Sequence, residues 1–255
     1  MRFLVVTLLL LGCGASENRR NLSYGQNAEA AYEAAYEDFE DENCLEAEPE
    51  FRRIRREYPY SRYAALAELR VADCLLIQET YTEAITAYEA FVRARPSHAE
   101  VPYARFKVSE AYFLQIPEDW LLGPPAHERD QGPTRQALTK LRRFIVDYPE
   151  DARVAAAREM SRQALALLAH HELYVAEFYL NREHPQAAIA RLESLLDAYM
   201  GSGVEPEALL LLGRVYLTLE DRAHARESFE RIVNDYPDTS FVEQAREYLE
   251  ELPGG

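Results

Sequence analysis

One arrangement of large, small and punctuating residues returns several times along this chain, and few folds can accommodate it. Its clearest copy is the last: Leu209-x2-Leu212-Gly213-x2-Tyr216, then Ala225-x3-Phe229, then Pro237. Residues three and four apart share one face of a helix. The first half therefore predicts a helix with a stripe of Leu209, Leu212 and Tyr216, and the second half a helix bearing Ala225 and Phe229. Gly213 and Ala225 are small enough for the two helices to close on each other. Pro237 stops the second, because proline lacks the ladder donor and clashes with the turn before it. The same template fits Val71-Ala72-x2-Leu75 with Ala84-x3-Tyr88 and Pro96, and Val175-Ala176-x2-Tyr179 with Ala188-x3-Leu192. A further copy pairs Val108-Ser109-x2-Tyr112 with Ala137-x3-Leu141 and Pro149. There, Tyr112 and Ala137 are 25 positions apart where Tyr216 and Ala225 are 9 apart, so that copy carries a 16-residue insertion. The weakest copy is the first, with Tyr32, Tyr36 and Phe39 on one stripe, then Ala47-x3-Phe51 and Pro59. A unit this short cannot bury its apolar face alone, so the copies must stack.

These offsets are those of the tetratricopeptide repeat (TPR). The expected fold is all-α: a TPR superhelical solenoid of about five helix-turn-helix repeats, with an extra helix and a C-terminal cap. Tyr58-Pro59, Tyr148-Pro149 and Tyr236-Pro237 close repeats, with Arg95-Pro96 and Tyr199-Met200 as variants. The extra helix is predicted from Ala152 to Leu168, between the third and fourth repeats, and the cap from Ser240 to Leu252. Ten Gly and 13 Pro are too few for a many-turned β protein, and 48% hydrophobic residues suffice for a core.

The N-terminus reads as an address. After Met1-Arg2, the apolar run Phe3 to Leu11 is too short to span a bilayer. It ends in Leu10-Leu11-Gly12-Cys13, which resembles the lipobox of bacterial lipoproteins. That resemblance implies a signal peptide over 1–12, cleavage before Cys13, and acyl chains on its sulfur that hold the chain at a membrane. Gly14-Ala15-Ser16, with no Asp after Cys13, resembles the outer-membrane sorting pattern. Residues 13–26 then form the lipidated cysteine and a tether, 27–149 the first three repeats with an insertion over 116–133, and 150–255 the linking helix, repeats four and five and the cap. Cys44 and Cys74 lie 15 residues either side of Pro59. Two helices flanking that proline would bring them level, and in an oxidising compartment the pair reads either as a disulfide or as two buried thiols.

Charge and motifs narrow the function. Forty-four acidic against 28 basic residues give a formal charge of -16, which repels phosphate backbones and excludes nucleic acid as a partner class. The same acidity serves solubility. No Gly-rich phosphate loop, nucleophile elbow or His-Glu-x-x-His is present, so no catalytic residue, metal site or cofactor is assigned. His170 and His171 are neighbours, and neighbouring helical positions point about 100° apart, a poor geometry for one metal. Arg52-Arg53 and Arg55-Arg56, flanked by Glu48, Glu50 and Glu57, read as intrahelical ion pairs, with an acidic-peptide clamp as the alternative.

Several stretches are more specific than a generic repeat. They are Glu57-Tyr58-Pro59 into Tyr63-Ala64, Ala84-Ile85 through Phe91-Val92-Arg93 to Arg95-Pro96-Ser97-His98, Glu128-Arg129-Asp130-Gln131 followed by Phe144-Ile145-Val146-Asp147-Tyr148-Pro149, and above all His171-Glu172-Leu173-Tyr174-Val175-Ala176-Glu177-Phe178-Tyr179. With the lipobox, they make the chain resemble the BamD family, the TPR lipoprotein of the outer-membrane β-barrel assembly (BAM) machinery. The resemblance implies a non-enzymatic scaffold, lipid-anchored at the periplasmic face of the outer membrane. Its implied partners are the last POTRA domain of the barrel-forming subunit BamA and unfolded outer-membrane proteins, and other lipoproteins of that complex stay open. It also implies that Arg191, in Ala190-Arg191-Leu192-Glu193, makes an ion pair with the POTRA domain. For the groove that receives unfolded segments, Tyr60, Tyr63, Glu68, Arg70 and Tyr103 are the candidates, near the junctions of the first three repeats. The insertion, with Trp120 and Gly123-Pro124-Pro125, looks individual to this chain. The competing reading is another TPR lipoprotein, a secretin pilotin or a cell-wall coordinating factor.

Overall fold

The computed structural model describes residues 23–117 and 123–252, and Cys13, the signal peptide and Trp120 lie outside them. Eleven α-helices follow in order among the described residues: α1 (Tyr24–Glu40), α2 (Cys44–Glu57), α3 (Arg62–Ile77), α4 (Tyr81–Ala94), α5 (Val101–Leu114), α6 (Gly132–Asp147), α7 (Val154–Leu180), α8 (Pro185–Ala198), α9 (Glu205–Thr218), α10 (Arg222–Asp235) and α11 (Phe241–Glu251). A 3-10 turn, Ala126–Glu128, precedes α6. Each helix packs on the next in sequence, and α1 on α3, α5 on α7 and α9 on α11 make further contacts. The core accordingly divides into local clusters strung along the chain, from Ala28, Phe51 and Cys74 at one end to Leu209, Phe229 and Val242 at the other. That is the arrangement of a solenoid, and the chain is an all-α TPR superhelix.

The repeat residues do what their sizes require. Ala84, Ala137, Ala188 and Ala225 are fully buried where paired helices approach, and Phe51, Tyr88, Leu141, Leu192 and Phe229 fill the space beside them. A methyl group built on Gly213 would lie 2.5 Å from the Phe229 ring, so only glycine lets α9 and α10 come this close. Tyr58, Arg95, Tyr148 and Tyr236 cap the second helices with extended φ values of -124°, -137°, -135° and -133°. Each precedes a proline, which pushes its neighbour out of the helical region. Between first and second helices, the turn residues Glu42, Glu79, Glu183 and Glu220 are left-handed, with φ from 57° to 64°. A glutamate there carries steric strain of about 1–2 kcal/mol that glycine would not, but its charge sits just ahead of the next helix N-terminus, where the dipole favours an anion.

Two boundaries differ from the sequence reading. The first helix begins at Tyr24 and not at residue 27, because Ser23 and Gln26 cap it reciprocally: the Ser23 hydroxyl accepts from the Gln26 amide and the Gln26 side chain accepts from the Ser23 amide. The predicted extra helix is not separate. It runs without a break into the first helix of the fourth repeat as the 27-residue α7, about 40 Å long. Nothing between Leu168 and Glu172 can stop a helix, and Ala164, Leu165, Leu168, Ala169, Leu173 and Ala176 continue one buried stripe across the junction. The cap is α11, with Tyr248 stacked on Phe229 at 4.7 Å.

Cys44 and Cys74 form a disulfide, Cα atoms 5.3 Å apart, between the start of α2 and the end of α3. In the arginine run on α2, Arg52 pairs with Glu48 and Arg53 with both Glu50 and Glu57. No described helix is long and apolar enough to cross a membrane.

Candidate functional site

A charged residue interrupts the apolar stretch Val71-Ala72-Asp73-Cys74-Leu75 of α3, and the inner face of the first three repeats is built around it. Asp73 is 4% exposed. Its Oδ1 accepts hydrogen bonds from the hydroxyls of Tyr88 on α4 and of Tyr103 on α5, the latter at 2.8 Å. Its Oδ2 faces Arg70 Nε at 3.1 Å, without the alignment of a hydrogen bond. A buried carboxylate is tolerated only when paired and hydrogen-bonded, and here the partners come from three consecutive helices. Asp73 thereby ties the second repeat to the third.

The Arg70 guanidinium lies over the rings of Phe39 on α1, at 5.4 Å, and Tyr103, at 5.3 Å. Arg153, ahead of α7 and held by Asp151 at 2.6 Å, lies 5.3 Å from the same Tyr103 ring. Beside them Tyr32 and Tyr36 stack at 5.8 Å, and Tyr32 packs against Phe51 and Tyr63. Tyr32, Tyr36, Arg70 and Tyr103 are each partly exposed. The result is a row of aromatic faces and guanidinium groups contributed by α1, α3 and α5 and by the turn ahead of α7, with cation–π contacts fixing their rotamers.

Electrostatics follow from this packing. Burial pushes the Tyr32 hydroxyl up to about 12, with Arg70 opposing. Burial, and then the negative charge of Asp73, push Tyr88 and Tyr103 above the ordinary tyrosine range. For Arg70, burial acts downward, but Asp73 and the neighbouring tyrosines outweigh it and raise its pKa. The face therefore presents neutral hydroxyls and permanent cations.

Of the residues singled out in the sequence, Arg70 and Tyr103 meet here, and Tyr63 lies one ring away, its hydroxyl on Glu29 of α1. Glu68 turns elsewhere and accepts from Arg95 at 2.5 Å, tying α3 to the end of α4. Tyr60 stands in the α2–α3 turn, 94% exposed, where its amide donates to the Tyr24 hydroxyl at 3.4 Å. Sequence reading passed over Asp73 and Arg153, and gave Tyr88 only as a core residue of the second repeat. A carboxylate inside an apolar run was the signal available for Asp73, and Arg153 gave none.

At the other end, Arg191 on α8 projects half-exposed and donates from Nη1 to Glu172 Oε2 at 3.2 Å, while Glu172 itself is buried in α7. An arginine carries five donors in a fixed fork, so a single anchoring contact orients the group and leaves donors for a second carboxylate. His171 and the return of the insertion meet nearby: His171 Nδ1 lies 2.6 Å from the His127 carbonyl, and the His127 ring packs edge-on to Tyr174. Gln131, 2% exposed, holds that return by donating to the carbonyls of Ala126 and Arg129 and accepting from Thr134. His171 and Tyr174 therefore hold His127 of the insertion against α7, while Gln131 braces the return from within. Among the described residues no group of three His, Cys, Asp or Glu side chains could hold a metal ion.

The family model described as outer membrane lipoprotein, YfiO, matches residues 25–228. The outer membrane protein assembly factor BamD of Caulobacter vibrioides is 27% identical over 216 residues, covering 84% of this chain and 68% of its own. That of Xylella fastidiosa is 25% identical over 239 residues, covering 92% and 81%. Among solved structures, a thermophilic TPR protein of Thermus thermophilus aligns with a TM-score of 0.37 at 18% identity, covering 88% of this chain and 98% of that one.

Proposed function

Since the chain belongs to the YfiO family of outer membrane lipoproteins, that of its BamD relatives, we propose that it is a non-enzymatic assembly factor for outer-membrane proteins. It is anchored by acyl chains on Cys13 at the periplasmic face of the outer membrane, and holds a BamA-like barrel subunit at one end and unfolded barrel segments at the other. The observation that carries this reading is the inner face around Asp73. Extended segments of barrel strands expose aromatic side chains and backbone carbonyls. The rings of Tyr32, Tyr36 and Tyr103 offer stacking surfaces, and Arg70 and Arg153 offer donors. Because Asp73 fixes Arg70 and Tyr103 beforehand, little side-chain freedom is lost on binding. A superhelix of stacked repeats supplies the length such a segment needs. At the C-terminal end, Arg191, oriented by Glu172, is the group proposed to meet a carboxylate of the last POTRA domain.

The test is binding of the mature protein to the POTRA region of the barrel subunit from the same organism. Wild type is expected to bind, and Arg191→Glu to bind at least tenfold more weakly while keeping its helical circular dichroism, with a lower melting temperature because the buried Glu172 loses its counter-charge. Absence of wild-type binding overturns the scaffold reading, and equal binding by the variant overturns the role of Arg191. Cys13→Ser is expected to move the protein from the membrane to the soluble fraction.

A further inference from the structure

The second helices of the repeats leave gaps on the side away from the inner face. Between α4 and α6, each packed on α5, lies a cavity of about 250 Å³. Its floor is apolar: Val92 of α4, Val108 of α5 and Phe144 of α6, the last two buried. Its rim carries four cations, Arg93, Arg105, Lys140 and Arg143, against two carboxylates, Glu89 and Asp147. In a chain of charge -16 this is a local excess of two positive charges. Glu89 lies 3.0 Å from Lys140 and 3.6 Å from Arg93, and Asp147 lies 2.6 Å from Arg143. The exposed Arg105 has no ion-pair or hydrogen-bond partner for its guanidinium among the described residues. Successive helical positions turn by about 100°, so Arg105 and Val108 leave α5 on a different side from Tyr103, and the cavity is separate from the Asp73 face.

The same gap recurs between α8 and α10 over α9, with a cavity of about 240 Å³, and there the net charge of the rim has the opposite sign. Aligned on the repeat, Glu193 stands for Glu89, Leu196 for Val92, Leu212 for Val108 and Arg231 for Arg143. Three of the four cations are replaced: Asp197 takes the place of Arg93 and Ser228 that of Lys140, while Leu209 in the core takes that of Arg105; Ile232 stands for Phe144 and Gly213 for Ser109. With Glu227 the rim there is net negative. The architecture forms equally well with either charge, so packing does not require the cations between α4 and α6.

We propose that the α4–α6 groove is a docking site for an acidic segment of a partner protein, which places one apolar or aromatic side chain on the Val92–Val108–Phe144 floor and flanking carboxylates on Arg93, Arg105 and Lys140. The cavity admits one or two side chains. An anionic membrane is disfavoured, because an extended surface meets the repulsion of the whole acidic chain, whereas a short peptide meets only the charges within a Debye length of about 8 Å.

The test uses two fluorescently labelled probes, Glu-Glu-Phe-Glu-Glu and Lys-Lys-Phe-Lys-Lys, titrated by anisotropy against the mature protein, with phosphatidylglycerol vesicles and inorganic phosphate as separate arms. Wild type is expected to bind the acidic probe at least tenfold more tightly than the basic one. The triple variant R93D/R105L/K140S, which copies the residues of the α8–α10 gap, is expected to lose at least tenfold. Should the triple variant fold poorly, Arg93→Asp alone, at a side chain 66% exposed, is expected to lose at least threefold. Equal binding of the two probes, binding untouched by the substitutions, or binding of vesicles or phosphate without the acidic probe overturns the proposal.

Discussion

Asp73→Asn isolates the charge at the centre of the inner face from its hydrogen bonds. Asparagine keeps an oxygen that can accept from Tyr88 and Tyr103, but it leaves Arg70 without a counter-charge in a site where the Arg70 side chain is 16% exposed and Asp73 was 5% exposed. At 3.1 Å the gross attraction is about 5 kcal/mol for an effective dielectric near 20. Some is retained through the amide dipole and the rings of Phe39 and Tyr103, so the net loss is about 3 kcal/mol, at the lower edge for breaking a buried pair. For a chain of this size that corresponds to a fall of roughly 6–12 °C in melting temperature. The assay is thermal melting by circular dichroism of wild type, Asp73→Asn, Arg70→Met and the double variant. The double variant should recover part of the loss seen in Asp73→Asn, because the uncompensated guanidinium is gone. A melting temperature for Asp73→Asn within about 2 °C of wild type, or no recovery in the double variant, would refute the reasoning.

Gly213→Ala should lower stability by about 1 kcal/mol, since overpacking against the fully buried Phe229 costs about 1–3 kcal/mol and helix propensity returns about 1; Gly25→Ala, where the added methyl meets nothing within 4 Å, should be neutral or stabilising in the same melts. The Cys44–Cys74 bridge spans a sequence separation of 30, which predicts a loss of about 3–4 kcal/mol when both are replaced by alanine, read as a lower urea midpoint for the variant than for the oxidised protein. Stability should fall as pH rises above 10. The unfolded chain releases tyrosine protons from there, while the folded chain keeps that of Tyr32 to about 12 and holds those of Tyr88 and Tyr103 through burial and the charge of Asp73, so the unfolded state binds fewer protons and gains. Urea melts at pH 8, 10 and 11 check the direction, and Tyr103→Phe should flatten the decline.

The order and pairing of the helices were written locally. Leu209, Leu212 and Tyr216 declare a helical face because they lie within two turns of one another, and Gly213, Ala225 and Pro237 state where the next helix can approach and where it must stop. The same holds for the cap and for the ion pairs on α2, each set by residues a few positions apart. The continuity of α7 was open to the same reasoning, since 152–176 contains no breaker, but the repeat template suggested a boundary that the backbone had no cause to make. Other features depend on the rotation between one repeat and the next, a sum of many packing contacts that no residue spacing records. Asp73 meets Tyr88 and Tyr103 from 15 and 30 positions away, Arg153 reaches the Tyr103 ring from 50 positions away, and two gaps of one shape acquire opposite charges. Periodicity along a helix is a property of the chain, whereas which side chains share a pocket is a property of how the helices are stacked.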